Sequence, residues 1–264
     1  MRLAKDEIIE NYIVTRRKRS VDFNMPAAHY HDHFEIYYLK SGSVRYFIDD
    51  RIYDLEKGDA ILIPPHKIHK TAAAGNESAE RLIVAFTNEF LARFSGEKVF
   101  KYSDVKLFKA STILRLIEAA EREMHNKDSL SDEIIAIYIR LILIEFERKS
   151  EKCVSPEEDK SIMARAVKFI SENYSSDITL SRLASTFALS ESHFSRQFKE
   201  YTGFGVSEYT ALVRIKNAEL LLSATKNSIT DIAAMCGFNS SSYFSAVFRK
   251  IKGITPKERR RQMK

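Results

Sequence analysis

The stretch from Thr179 to Gly253 repeats itself, and that repeat restricts the fold more than any other feature of the chain. Each copy sets Leu or Ile three residues apart (Leu180 and Leu183; Ile229 and Ile232) and follows with a small Ala184 or Ala233. A turn comes next, at Ala188-Leu189 or Gly237-Phe238, then Ser190 or Ser240, a Phe pair four apart (Phe194/Phe198; Phe244/Phe248) and a closing Gly203 or Gly253. Asn239 is the one inserted residue. Apolar spacing of three and four predicts helices, and the small Ala allows two of them to touch closely. Each copy therefore reads as a helix, a turn, a Ser cap and a second helix whose Phe pair faces inward.

What remains on the outside of the second helices is polar. The first copy exposes Ser192, Ser195, Arg196 and Lys199. The second exposes Ser240, Ser241, Ser242 and Ser245, with Asn239 before it and Arg249 and Lys250 near its end. Such helices suit a DNA major groove. Arg196 has the length to make two hydrogen bonds to guanine, whereas the serines reach only nearby groups or phosphates. Arg249 and Lys250 read as phosphate contacts that position the second helix. Between the copies, Val206 to Ala224 reads as a single helix. At 1.5 Å per residue it spans roughly 28 Å. Successive major grooves on one face lie about 34 Å apart, so a rod of this size can hold two readers in neighbouring grooves.

These residues resemble the AraC/XylS family of transcription regulators. The likeness covers about the last hundred residues and runs through Ile229-x2-Ile-Ala-x2-Cys-Gly-Phe238, the Ser-x2-Tyr-Phe-Ser-x2-Phe pattern ending at Arg249, and Gly253-Ile-Thr-Pro256. It implies two helix-turn-helix units joined by a linker helix, with promoter DNA and RNA polymerase as partners. One departure stands out: the family usually carries an aromatic residue where this chain has Arg259.

Charge distribution agrees with a phosphate-binding end. From Ser161 onward there are 16 Lys/Arg against 8 Asp/Glu, while the preceding residues hold 26 against 28, within an overall charge of +6. No apolar run reaches the length of a membrane span and no signal-peptide pattern opens the chain, so a cytoplasmic protein is expected. Cys153 and Cys236 lack metal-ligand spacing, and Cys236 sits on an apolar helix position, as a small buried residue would.

The first half of the chain reads as β structure. Short runs rich in β-branched and aromatic residues (34–39, 43–48, 52–55, 60–63 and 82–86) are separated by turn signals at Ser41-Gly42, Asp49-Asp50, Lys57-Gly58-Asp59 and Pro64-Pro65. A small barrel or sandwich is predicted. Met1 to Ser20 reads as a short helix followed by the basic run Arg16 to Arg19, a strand end or turn.

Five of the seven histidines lie between 29 and 69. The spacings His29-x-His31-x3-Glu35-x6-Gly42 and Gly58-x5-Pro64-x4-His69 resemble the two motifs of the cupin barrel, with His66 where cupins usually have Gly. In an extended strand, His29, His31, His33, Glu35 and Tyr37 share a face. The preferred reading is a polar pocket that takes a small effector, lined by these residues with Tyr46 and His69. Tyrosine rings beside hydrogen-bonding groups suit a sugar, a choice that rests mainly on the resemblance. No cofactor is expected. The alternative is a metal site built from His29, His31, Glu35 and His69, whose ligand types fit Zn, Fe, Ni or Mn.

Two long helical patterns follow, Ser111 to His125 and Asp132 to Arg148, the second with Ser129-x2-Asp132 as a capping box. Apolar residues cover more than one face of the second, which leaves two readings open: both faces buried within one chain, or one face pairing in a dimer. In relatives, the helices in this place (111–148) form the dimer contact.

The expected architecture is therefore a mainly β, cupin-like ligand-sensing and dimerisation domain (1–150), a linker (151–160) with a helix start at Ser155-Pro156, and an all-α double helix-turn-helix DNA-binding domain (161–264). The expected function is a sequence-specific transcription regulator, an activator, controlled by an effector in the barrel. The competing readings are a metal-dependent cupin enzyme with a DNA-binding appendage and a regulator that needs no effector.

Overall fold

The computed structural model describes residues 11–263 apart from 22, 24, 26, 27, 50, 96–104, 110, 127 and 150–160. The sensor half contains β1 (Tyr12–Arg19), β2 (Phe34–Ser41), β3 (Ser43–Ile48), β4 (Arg51–Glu56), β5 (Asp59–Ile63), β6 (His69–Ala73), β7 (Ala79–Phe86), α1 (Asn88–Ser95), β8 (Lys106–Lys109), α2 (Ser111–Asn126) and α3 (Ser131–Lys149). The second half is helical: α4 (Ile162–Asn173), α5 (Leu180–Thr186), α6 (Glu191–Thr202), α7 (Val206–Ala224), α8 (Ile229–Met235), α9 (Ser241–Lys252) and α10 (Pro256–Gln262).

The strands pair antiparallel in two sheets, ordered β1-β7-β2-β5-β8 and β4-β3-β6. The β2 run is apolar or aromatic almost throughout because both of its faces are covered. Phe34, Ile36 and Tyr38 join Leu82 and Val84 against Ile113 and Ile117 of α2 and Ile139 of α3. Tyr37 and Leu39 point the other way, into a core shared with Tyr46, Tyr53 and Ile61 between the sheets. This period-two division puts Glu35 inside as well.

Within α3, Ile135, Ile139, Ile142 and Phe146 are buried. Ile137 and Leu141, one turn apart, remain 49% and 42% exposed. The second helix thus leaves an apolar strip uncovered. Its start is organised differently from the expected box: Asp128 Oδ1 accepts hydrogen bonds from the Leu130 amide (2.8 Å) and the Ser131 hydroxyl (3.1 Å). Asp128, the residue immediately before Ser129, competes successfully with it because its carboxylate reaches both groups.

The basic run near the N-terminus lies within a strand, paired along its length with β7. The short helix expected at the start of the chain falls on residues outside the described ones, as do the linker and the Ser155 cap; β1 runs from Tyr12 on. Alternation splits the basic run: Arg16 faces out and engages Glu80, Glu118 and Glu121, while Arg19 turns toward Thr71 of β6.

In the helical half α7 is the spine. Val206, Tyr209, Leu212 and Val213 pack on Leu183, Phe194 and Phe198 of the first copy. Further along, Ile215, Ala218 and Leu222 pack on Ile232, Phe244 and Phe248 of the second. Burying each Phe side chain stabilises by roughly 1.5–3 kcal/mol, so each pair anchors its unit to the rod. Arg214 fixes α4 to the same rod, donating to the carbonyls of Tyr174 (2.7 Å) and Ser176 (2.8 Å) where α4 leaves orphan acceptors.

The two halves of the chain also meet in an apolar contact. Ala28, Tyr30, Phe47 and Ile68 from the barrel share one buried core with α4, α6 and α7.

Candidate functional site

Both recognition helices begin at a serine that caps them. Ser190 Oγ accepts from the His193 amide and Ser240 Oγ from the Tyr243 amide. With their Phe pairs buried, α6 and α9 turn the expected residues outward: Ser192, Arg196, Lys199, Asn239, Ser240, Ser242, Arg249 and Lys250 are exposed, and Ser195, Ser241 and Ser245 are half-buried. Arg196 Nη2 lies 3.1 Å from His193 Nδ1, which holds the guanidinium along the helix. The Ser240 hydroxyl is committed to its cap, so it positions α9. Sequence reasoning missed Tyr243, 62% exposed beside Ser242. A Tyr next to a core Phe reads as apolar filler, and only its place one step off the Phe stripe marks it as outward.

The two turns show why the copies differ. Ala188 (φ 55) and Gly237 (φ 77) occupy the same left-handed position. A Cβ on Gly237 would sit 2.6 Å from the Ser175 carbonyl oxygen, so only glycine fits the second copy.

Inside the barrel, the seven expected residues form one connected group. His31 stacks on His33 with ring centres 3.8 Å apart. His69 lies 4.4 Å from His29 and 4.9 Å from His31, centre to centre. His31 Nε2 is 3.5 Å from Glu35 Oε2, and the Tyr46 hydroxyl donates to Glu35 Oε1 at 3.0 Å. Tyr37 meets Tyr46 edge-on at 5.1 Å. Burial opposes charge on the imidazoles: His69 is pushed down to about 4, and His29 falls well below the usual histidine range. Glu35 is also buried, which by itself favours the neutral acid, yet His31 and the other imidazoles around it hold its carboxyl well below the usual range. The result is an ionised acceptor near the rings of His29 and His69, which burial keeps neutral, with the buried hydroxyl of Tyr37 and one ring nitrogen each of His29 and His69 left without a hydrogen-bond partner. Groups in that state suit a hydroxyl-bearing ligand. His29, His31 and His69 also offer ring nitrogens within 4.8 Å of one another, a spacing from which three imidazoles can hold a divalent ion such as Zn.

Two residues that depart from the family patterns meet at the seam between barrel and helices. Arg259 of α10 donates to Glu219 of α7 and to Asp32, both at 2.7 Å. Glu219 is fully buried and also engages Lys252 Nζ at 3.2 Å. His66 adopts φ 64, the left-handed conformation for which glycine is usual. Its ring is held below the ordinary histidine range, first by burial. Nearby, the Tyr209 hydroxyl donates to the Asp49 carbonyl (3.3 Å) and Lys216 Nζ lies 3.7 Å from the Asp49 carboxylate.

A barrel with a polar interior, fused to paired helix-turn-helix units that present serines and cations, defines a DNA-binding transcription regulator with a ligand-binding domain. Residues 10–141 match the family model described as the AraC-like ligand binding domain, and residues 183–262 match one described as a helix-turn-helix domain. The chain belongs to the AraC family and is a regulator, not an enzyme.

Among curated proteins it is 23% identical over 242 residues to the HTH-type transcriptional activator RhaR of Escherichia coli O139:H28, covering 88% of this chain and 86% of that one. The RhaR of Shigella flexneri is 22% identical over the same span. Among solved structures, ToxT from Vibrio cholerae O395 aligns over 97% of this chain and 99% of its own with 15% identity and a TM-score of 0.43. An AraC-type DNA-binding domain protein from Chromobacterium violaceum is 32% identical over 39% of this chain and 91% of its own, with a TM-score of 0.37. No helix among the described residues is long and apolar enough to cross a membrane.

Proposed function

We propose that this protein is a cytoplasmic transcriptional activator whose effector, a carbohydrate, binds inside the barrel and alters how the sensor holds the DNA-binding helices. One observation carries the reading. His31 and His33 lie in the buried pocket group, and Asp32 between them bonds Arg259 of the last helix. A ligand that moves the histidines therefore pulls on the contact to the DNA-binding half. It does so only to the extent that it binds one arrangement more tightly than the other. Arg196 reads bases from α6; Arg249, Lys250 and Lys199 hold phosphates; Ser192, Ser195, Asn239, Ser241, Ser242 and Ser245 line the approach. Activation implies a contact with RNA polymerase, and the RhaR relatives, named as transcriptional activators, support that choice. The bare Ile137/Leu141 strip supports a homodimer through α3.

The test is the affinity of the full chain for the promoter DNA upstream of its own gene, at fixed salt, across a panel of sugars. One sugar should change that affinity several-fold, and Arg196→Ala should weaken binding in both states. Equal affinity with and without every sugar defeats the mechanism. A second reading, favoured by the three converging imidazoles, places a divalent ion at His29, His31 and His69. Metal bound one-to-one, and lost in His69→Ala, would support it.

A further inference from the structure

We propose that the effector is a sugar acid, whose carboxylate docks against Arg19 and Arg81 at the end of the barrel away from the histidines. This deepens the sensor reading above and rests on it. The two arginines belong to neighbouring strands. Arg19 of β1 pairs with Ala79 of β7, and Arg81 lies two residues further along the same face. That face is the interior one, because Ala79 and Ile83 pack with Tyr37 and Leu39 between the sheets.

The environment of Arg81 is unusual for a guanidinium. The residue is 6% exposed, and its Nε has no hydrogen-bond partner. The guanidinium sits 5.4 Å from the Tyr37 ring, whose own buried hydroxyl is equally unpartnered. Arg19 reaches Thr71 Oγ1 at 3.2 Å and lies over the Phe23 ring at 3.3 Å. Neither arginine forms an ion pair among the described residues, whereas Arg16, facing out from the same strand, engages three glutamates. Burial first, and Arg81 second, hold Arg19 down to about 10. Holding the buried guanidinium of Arg81 beside half-buried Arg19 with no ion pair is unfavourable by several kcal/mol, and a partner anion relieves it.

Glu35, the carboxylate inside the barrel, lies four residues along β7 from Arg81 by register, opposite Ala85, and is already engaged by Tyr46 and His31. Arg17, opposite Arg81 in the pairing, is exposed to solvent, so the inward guanidiniums of Arg19 and Arg81 against that one carboxylate leave a single positive charge. One ligand carboxylate balances it; a phosphate, at about −1.5 to −2, would overshoot. Glu35, Tyr46 and the histidines then face the ligand's hydroxyls.

The test is calorimetry and thermal melting of the full chain with uronates and aldonates, the matching neutral sugars and the matching sugar phosphates. An acid should bind at least tenfold more tightly than its neutral and phosphorylated counterparts. Arg81→Met should remove that preference while raising the melting temperature of the free protein, and Arg16→Met should leave the preference intact. A neutral sugar binding as tightly as its acid, a phosphate binding best, or an Arg81→Met variant that melts lower and keeps its acid preference overturns the assignment and leaves the sensor reading standing. No binding by any member of the panel defeats both.

Discussion

Arg259 Nη2 lies 2.7 Å from Asp32 Oδ2, joining the last helix to the residue between two pocket histidines. The same guanidinium engages buried Glu219, so its two ends do different work. Arg259→Ala strands Glu219 with Lys252 alone and should cost about 3 kcal/mol. Asp32 is half-exposed, so Asp32→Ala should cost no more than about 1 kcal/mol. Chemical denaturation separates the two, and hydrogen exchange in α10 of Asp32→Ala should quicken although global stability is kept. Unchanged exchange would mean that the contact does not restrain α10.

The turn pair gives opposite substitutions. Gly237→Ala forces a Cβ against the Ser175 backbone and should destabilise by more than about 2 kcal/mol. Ala188→Gly relieves the left-handed strain in the other copy but frees the unfolded chain, leaving a net change within about 1 kcal/mol. Thermal melts of the two variants check the contrast.

If α3 pairs between copies, a charge on its bare strip should separate them. Ile137→Lys should shift the protein toward monomer in sedimentation runs at micromolar concentration while its circular dichroism stays unchanged. A wild-type protein that sediments as a monomer would remove the dimer from the scheme.

Burial pushes the Cys236 thiol up to about 11, with Arg214 pulling only weakly the other way. The thiolate is the reactive form, so Cys236 should resist iodoacetamide at pH 8 in the folded chain and react readily once unfolded. Peptide mass spectrometry resolves it from Cys153.

The elements that build the DNA-binding half were legible because local signals agreed: Phe spacing, Ser caps and closing glycines all pointed to the same helices, and Val206–Ala224 matches α7 at both ends. In the barrel, β2 to β5 were plain from composition. The register of β1 was not, since Arg17 and Lys18 look like a loop until β7 is there to pair with them. The pocket histidines came from alternate spacing, although His29, His31 and His33 precede β2 instead of lying on it and His69 stands on β6; Arg19 and Arg81 did not, because only cross-strand pairing brings them to one face. The seam was hidden in a different way. Glu219 reads as the solvent side of a helix, and only folding shows that it is buried against Lys252 and Arg259. Its sequence trace was indirect: Arg259 and His66, the two misfits to family patterns, both sit there.

The unbroken course of α7 has a bearing on the angle between the readers as well as on their separation. At 3.6 residues per turn, one inserted residue would swing the second unit by about 100° around the axis of α7, turning its reading face away from the duplex. Inserting seven, nearly two full turns, would bring it back into phase while moving it about 10 Å along. Such a chain would tolerate substitutions on this helix far better than changes in its length, and natural variation in the gap between half-sites would have to be met by bending the DNA.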